Sequence, residues 1–149
     1  MNVSFLAEQS HHSKTIAQWY YDEWAKNYNV PFNAVFEDVK SKSKSKNDVP
    51  LCFVATENNE AVGAVELKLY ENKQYDYKHW LGGLFVIPGY RRLGIGKKLI
   101  QLALDHSQKL GIEDLYLQCK NEHSYLYSSF GFTGIHLLSD STCVMVRGV

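Results

Sequence analysis

The stretch FVIPGYRRLGIGKKL, residues 85–99, joins an apolar run to a basic, glycine-spaced loop and then to an amphipathic pattern. Leu84, Phe85, Val86 and Ile87 have the character of a buried strand, and Pro88, which has no main-chain donor, ends it. Pro88 and Gly89 mark a turn. Beyond Arg91, Arg92, Gly94 and Gly96, residues Ile95, Leu99, Leu102, Ala103, His106 and Leu110 recur at helical spacing, which predicts a helix from about Gly94. The first amides of such a helix lack intrahelical acceptors and its N-terminus carries roughly half a positive charge, so an anion placed there gains hydrogen bonds and a favourable field together. Glycine removes the Cβ atoms that would hold a phosphate off the backbone. The stretch reads as a phosphate cradle; its plainer reading is a glycine-containing turn with two solvated arginines.

Outward from this stretch the periodicity is that of a mixed sheet. Residues 79–87 form the strand that feeds the loop, and Gly82 and Gly83 suggest a bulge or a close approach to its backbone. Residues 51–56 and 61–70, separated by Asn58 and Asn59, predict a hairpin, and residues 71–78 are a polar and aromatic connection. Residues 3–6 form a short strand and 11–28 a helix with Ile16, Trp19, Tyr20, Glu23, Trp24 and Tyr28 near one side, capped by Ser10 or Ser13. Pro31 opens a second helical segment through Val39, which runs into the lysine- and serine-rich residues 40–46, read as a solvated helix end and mobile loop that buries nothing. After the central helix Gly111 is a natural C-terminal cap, and Leu115, Leu117 and Cys119 alternate in a further strand. A short helix over 125–130 ends at Gly131, and strands over 132–138 and 142–147 follow. The strand, helix, strand order from 79 to 119 implies a right-handed parallel crossover within a mixed α/β (α+β) sheet of about seven strands and about four helices.

A chain of 149 residues fits one domain. Sixteen basic residues balance sixteen acidic ones, which argues against nucleic acid or an anionic membrane surface as the main partner. No apolar run approaches the roughly 18 to 20 residues of a membrane span, and residues 1–12 lack the pattern of a secretory signal, so a cytoplasmic protein is expected. Cys52, Cys119 and Cys143 are odd in number, far apart in sequence and in strand-like contexts, which favours buried free thiols over a disulfide or a metal site. No set of His, Cys and carboxylates has metal-ligand spacing, and the adjacent His11 and His12 suit a cap or an acceptor contact better than a ligand pair.

The run Val86, Pro88, Tyr90, Arg91, Arg92, Gly94, Gly96, followed by an amphipathic helix, a strand, and Tyr127, Phe130, Gly131 and Phe132, resembles the GCN5-related N-acetyltransferase (GNAT) superfamily. Arg91-x-x-Gly94-x-Gly96 corresponds to that family's cofactor loop, between its fourth strand and third helix, and Tyr127-x-x-x-Gly131-Phe132 to the segment that carries its frequent catalytic tyrosine. The order of elements fits over essentially the whole chain.

The resemblance implies acetyl transfer from acetyl-CoA, used as a cosubstrate without a metal, to an amine of a small molecule or peptide by direct attack on the thioester. The amides of Arg92, Leu93, Gly94, Ile95, Gly96 and Lys97 would bind the pyrophosphate, with Arg91 and Arg92 adding attraction. Phe85 and Val86 would pair their backbone with the pantetheine arm and offer an amide to the thioester oxygen. Tyr127 would protonate the departing thiolate, since a phenol stays protonated at neutral pH. The glutamate that some members carry six residues before the position of Val86 is here Trp80, so the base is sought at Glu66, Glu71 or His79. Asn121, six residues before Tyr127, is the nearest match to an asparagine that holds the pantetheine arm; Lys120 occupies the usual place, seven before. Trp24, Glu71, Tyr75 and Trp80, with Tyr70, Asp76 and Tyr77, would give the acceptor wall an aromatic and acidic character that suits a cationic amine. Two further readings stay open: a module that binds acyl-CoA without turnover, and an acetyltransferase of protein lysines or N-termini. A homodimer is compatible with either.

Overall fold

The alternating runs upstream of the cradle and the apolar run before Pro88 become neighbouring strands in the computed structural model of the chain, which describes residues 1–148. Among these residues, seven strands form one sheet in the order β1-β2-β3-β4-β5-β7-β6. They are β1 (Asn2–Phe5), β2 (Leu51–Glu57), β3 (Glu60–Lys68), β4 (Trp80–Val86), β5 (Asp114–Lys120), β6 (Thr133–Leu137) and β7 (Thr142–Gly148). Four α-helices lie among the same residues: α1 (Ser13–Glu23), α2 (Phe32–Lys42), α3 (Ile95–Lys109) and α4 (Ser124–Ser128). β4 and β5 are parallel and the other neighbours antiparallel, so the link through α3 is a crossover connection.

Successive residues of a strand face opposite sides of a sheet, and β2 shows both sides buried. Leu51, Phe53 and Ala55 join Val65, Leu67, Leu81 and Leu117 in one core with Leu99, Ile100 and Ala103 of α3. Cys52 and Val54 join Ala64 in a second core with Ile16, Ala17 and Tyr20 of α1 and Val39 of α2. The buried stripe of α3 is Ile95, Leu99, Ile100, Ala103, Leu104 and Ser107. It is rotated from the expected one: Leu102, His106 and Leu110 sit at its margins, and His106 packs edge-on to Phe5 while its ring Nε2 meets the Lys46 carbonyl at 2.6 Å.

Three expectations are corrected. The helix read over 11–28 stops at Glu23 and continues as a short 3₁₀ turn, Ala25–Tyr28, closed by Asn29 at φ 60°. Ser13 does not cap an amide; its hydroxyl donates back to the Ser10 carbonyl at 2.7 Å. The lysine- and serine-rich segment does bury a residue, because Lys42 is only 4% exposed. Its ammonium lies 3.1 Å from Glu66 Oε1, a carboxylate that is itself 1% exposed, and also pairs with Asp38 one helical turn back. A charge pair that secures a helix end to the sheet has no apolar signature in sequence. The cysteines are free, yet Cys119 and Cys143 are cross-strand partners with sulfurs 3.8 Å apart.

Burial alone would push the Lys42 ammonium below its ordinary value, but Glu66 and Asp38 outweigh it and hold the pKa above 10.5. While the carboxylates are ionised, the Lys42 ammonium therefore makes its full contribution to stability below that value, and the contribution is lost as pH rises through the raised one. Lys42→Met is expected to cost about 3–5 kcal/mol in urea unfolding at neutral pH, because it leaves the buried Glu66 carboxylate with only the more distant Lys68, at 3.9 Å, whereas Lys42→Met with Glu66→Leu recovers most of that loss. Equal losses in the single and double variants would contradict the pairing.

Candidate active site

β4 and β5 are paired only at Trp80↔Tyr116 and Leu81↔Leu117. Past that point β5 stays bonded to β7 as far as Lys120↔Thr142 and β4 stays bonded to β3, so a gap opens between them. The register of β3 against β4 shifts between Ala64 and Glu66, opposite Gly82 and Gly83, which is the bulge the two glycines suggest. Gly83 has φ +60°, and a Cβ on it would lie 2.7 Å from Tyr20 Oη and 2.9 Å from Glu66 Oε1. The Tyr20 hydroxyl donates to the Gly83 carbonyl at 2.6 Å. Beyond the bulge, Ile87 N–H donates to Val62 at 3.0 Å, so the alternation of an antiparallel ladder turns the main chain of Phe85 to β3 and that of Leu84 and Val86 to the gap. This corrects the expectation for Phe85: its ring lies on the α1 face against Trp19 at 5.4 Å, and Leu84 takes its place at the gap edge. The Val86 carbonyl is already engaged by Arg91 Nε at 2.7 Å, with the guanidinium 5.4 Å from the Phe85 ring centre. Arg91 therefore clamps the loop to the strand end.

The gap leads to the cradle. Arg92 at φ 65° and Gly94 at φ +85° bend the chain into α3, whose N-cap Gly94 makes no side-chain capping bond. The first intrahelical bond is from Lys98 N–H to Gly94 at 3.0 Å, which leaves the amides of Ile95, Gly96 and Lys97 without a helical acceptor. Nothing lies within 4 Å of the Cβ position of Gly94, and Arg92, Leu93 and Lys97 are exposed around it. Free amides, an open approach and two cations suit a phosphate. Tyr127, half-buried on α4, packs, as Leu84 and Val86 do, against the core on the α3 side of the sheet, with its ring 6.0 Å from that of Phe132. Burial, and after it the nearby Cys119, pushes its phenol up to about 12. Among the described residues no group hydrogen-bonds the Tyr127 hydroxyl, and it is free to donate.

On the other face of the bulge lies a charged group of α2, β3 and the residues just after β3. Glu66 stands beside Gly83, and Glu71 Oε1 is 3.3 Å from the Cβ position of Gly82. Lys68 bridges them, 2.8 Å from Glu71 and 3.9 Å from Glu66. Glu66 Oε2 is buried with no partner among the described residues. Trp24, 39% exposed, leans edge-on to Phe85 at the rim.

Other expected site residues lie elsewhere. Trp80 is fully buried, donating its indole N–H to the Tyr77 carbonyl at 2.7 Å, so it offers no surface to an acceptor. Tyr75 and Tyr77 stack with His136, and Tyr77 with Tyr116 at 4.2 Å, which pins the 71–78 connection to β5 and β6. Asp76 and His79 line a groove with Gly111 and Glu113 at the start of β4, the far end of the strand from the cradle. Burial, then Lys78, lowers the His79 pKa, but the strand separates its ring from the gap. Asn121 gives its side-chain N–H to the Asp140 carbonyl at 2.9 Å and serves the turn between β6 and β7. Tyr20, Lys42 and Leu84 are the site residues that sequence reasoning did not single out for the chemistry. Among the described residues no group of three or more His, Cys, Asp or Glu is arranged to hold a metal ion, and no helix is long and apolar enough to cross a membrane.

Comparison with known proteins accords with this geometry. Over 90 residues the chain is 29% identical to N-alpha-acetyltransferase 30 of Saccharomyces cerevisiae, an alignment covering 55% of this chain and 51% of that protein, so the match spans about half the length of that relative. Among solved structures it is similar to an aminoglycoside 6'-N-acetyltransferase complexed with coenzyme A, at TM-score 0.78 and 14% identity over 99% of this chain and 97% of that one. A GNAT-family acetyltransferase from Staphylococcus aureus Mu50 gives TM-score 0.72 and 20% identity over 99% of each chain. These structures share the fold. The pattern of the Acetyltransferase (GNAT) family matches residues 13–132, which takes in α1, the bulge, the cradle and Tyr127. The chain belongs to the acetyltransferase (GNAT) family.

Proposed function

We propose that this protein transfers the acetyl group of acetyl-CoA to a primary amine that approaches from the face of α1 and α2. The observation that carries the reading is the strand gap that runs from the Gly82–Gly83 bulge to the free amides at the start of α3, in a chain of this family. Acetyl-CoA supplies an activated thioester with a pyrophosphate at the other end of a long arm. The amides of Ile95, Gly96 and Lys97 hold the pyrophosphate, and Arg92 and Lys97 add charge at the mouth. Leu84 and Val86 turn main-chain groups to the arm, and the Leu84 N–H faces the thioester oxygen as negative charge develops on it. Tyr127 gives its proton to the sulfur as the bond to carbon breaks.

On the acceptor side Glu71 is the carboxylate that meets the amine. It is partly exposed beside Gly82 and takes the proton that the amine loses. Glu66, buried and tied to Lys42, acts as a fixed negative charge behind it. The aromatic rim at Trp24 and the two carboxylates suit a cationic acceptor. A second reading, an α-amino acceptor on a peptide, is favoured by the resemblance to N-alpha-acetyltransferase 30.

Thiol release from acetyl-CoA across diamines, monoamines and peptides tests the activity, and coenzyme binding without release for any acceptor would favour the sensor reading. Tyr127→Phe should lower kcat by roughly 10²-fold, within the range for a general acid, and leave coenzyme A affinity nearly unchanged. Because its pKa is about 12, the Tyr127 phenol stays protonated through pH 10, so kcat should not fall on the alkaline side over that range. Unchanged turnover in Tyr127→Phe would remove the acid assignment. Glu71→Gln should lower kcat roughly 10²-fold, as expected for loss of a general base, and raise KM for a diamine about threefold to fivefold, as expected for ~1 kcal/mol from a partly screened charge; kcat and KM both unmoved would take Glu71 out of the acceptor site.

A further inference from the structure

We propose that Tyr20 is a positioning residue that aims the Leu84 amide at the thioester oxygen by holding the Gly83 carbonyl on the opposite side. The inference rests on the acetyl-transfer reading above and extends it to a residue 63 positions away in sequence.

Gly83 C=O and Leu84 N–H belong to one planar trans peptide, in which the two groups point in opposite directions. The Tyr20 hydroxyl donates to that carbonyl at 2.6 Å, and Tyr20 packs in the core between α1, α2 and the sheet. The carbonyl is therefore drawn to the α1 face, and the Leu84 N–H points away from it, to the α3 side of the gap, where Tyr127 packs against the core. An ordinary strand would not hold this peptide in such an orientation. It sits at a bulge, with Gly83 at φ +60°, where β4 has already left β5 and no β5 partner fixes the plane. Without the tyrosine the carbonyl would need another donor, and the plane could turn.

The side chain is suited to the task. Tyr20 is 7% exposed, and its ring is flanked by Trp24 at 5.5 Å, so its aim does not depend on a mobile chain. Burial, then the charge of Glu66, holds its phenol well above the ordinary tyrosine range, which keeps the hydroxyl a donor. A donor on the carbonyl also withdraws electron density from the amide, so Leu84 N–H becomes a better donor in turn. The space is matched on both sides: a Cβ on Gly83 would lie 2.7 Å from the phenol oxygen, so the glycine and the tyrosine require each other.

The test compares wild type with Tyr20→Phe, which keeps the ring and removes the donor. Two quantities are read: steady-state kinetics, and the infrared carbonyl stretch of acetyl-CoA carbon-13 labelled at the acetyl carbonyl and bound without acceptor. In wild type the bound thioester band should lie below its free frequency. In Tyr20→Phe it should move back toward the free value, while kcat falls roughly 10- to 100-fold and KM for acetyl-CoA and affinity for coenzyme A stay nearly unchanged. A general packing role would weaken coenzyme binding along with turnover and would not move the band selectively. 3-Fluorotyrosine at position 20, which keeps the fold and strengthens the donor, should give a band at or below that of wild type; a band that rises there overturns the inference even if Tyr20→Phe does not fold. Wild-type kcat and an unmoved band in Tyr20→Phe overturn the role of Tyr20 alone. Absence of both turnover and band shift in wild type overturns the acetyl-transfer reading and this inference with it.

Discussion

Two parallel strands that pair for two residues and then part determine much of this molecule. β5 loses little by leaving β4, because its other edge is bonded to β7 along its length, and β4 is likewise held by β3 on its outer edge. What the separation leaves is a row of main-chain groups from Leu84 and Val86 with no strand opposite them. Such groups need partners. Arg91 supplies one by reaching back to the Val86 carbonyl, and Tyr20 supplies another at Gly83. The remainder are directed into a gap whose far end is the N-terminus of a 15-residue helix. The same divergence thus exposes backbone donors along the strand and aims a helix dipole at the exit, and an extended anionic molecule meets both in sequence.

The bulge joins the two sides of the sheet. Gly82 and Gly83 present no side chain, so carboxylates on the α1 and α2 face come close to the strand while Tyr127 and Leu84 remain on the other. Glu66 is held there by Lys42, an arrangement that carries a desolvation cost and contributes little net stability compared with an apolar pair. Its effect is to hold a negative charge at one place beside the bulge. Glu71 is less buried and bridged through Lys68, whereas Glu66 cannot move without leaving the buried Lys42 ammonium to Asp38 alone. That difference in freedom is why the two glutamates are given different parts.

The order of elements along the chain and the glycine-spaced loop that opens α3 were legible in the sequence because their signals are local. Period-two runs, a proline stop, glycines at fixed spacing and an apolar stripe are each read within a dozen residues, and the strand ends shifted by only a residue or two. The spacing to Gly131 and Phe132 is what singles out Tyr127 for the proposed acid role. Contacts between distant segments were not legible. Lys42 lies in a lysine- and serine-rich run and became buried because Glu66 waits opposite it, 24 residues away. Trp80 and Tyr77 looked like acceptor aromatics, yet they stack inward with Tyr116 and His136. His79 is a candidate base by its place just before the strand, but a fully extended strand carries its start about 20 Å from its end. Composition gave no indication of which side of the sheet each side chain faced.

The central claim is that the β4–β5 gap and the start of α3 form one binding track. It is tested most directly by amide hydrogen exchange or two-dimensional NMR during titration with coenzyme A, read residue by residue. The account predicts that Leu84 and Val86 on the strand and Ile95, Gly96 and Lys97 on the helix gain protection together and saturate at one ligand per chain. Protection confined to the groove at His79 and Gly111, or at the helix amides with none along β4, would contradict it.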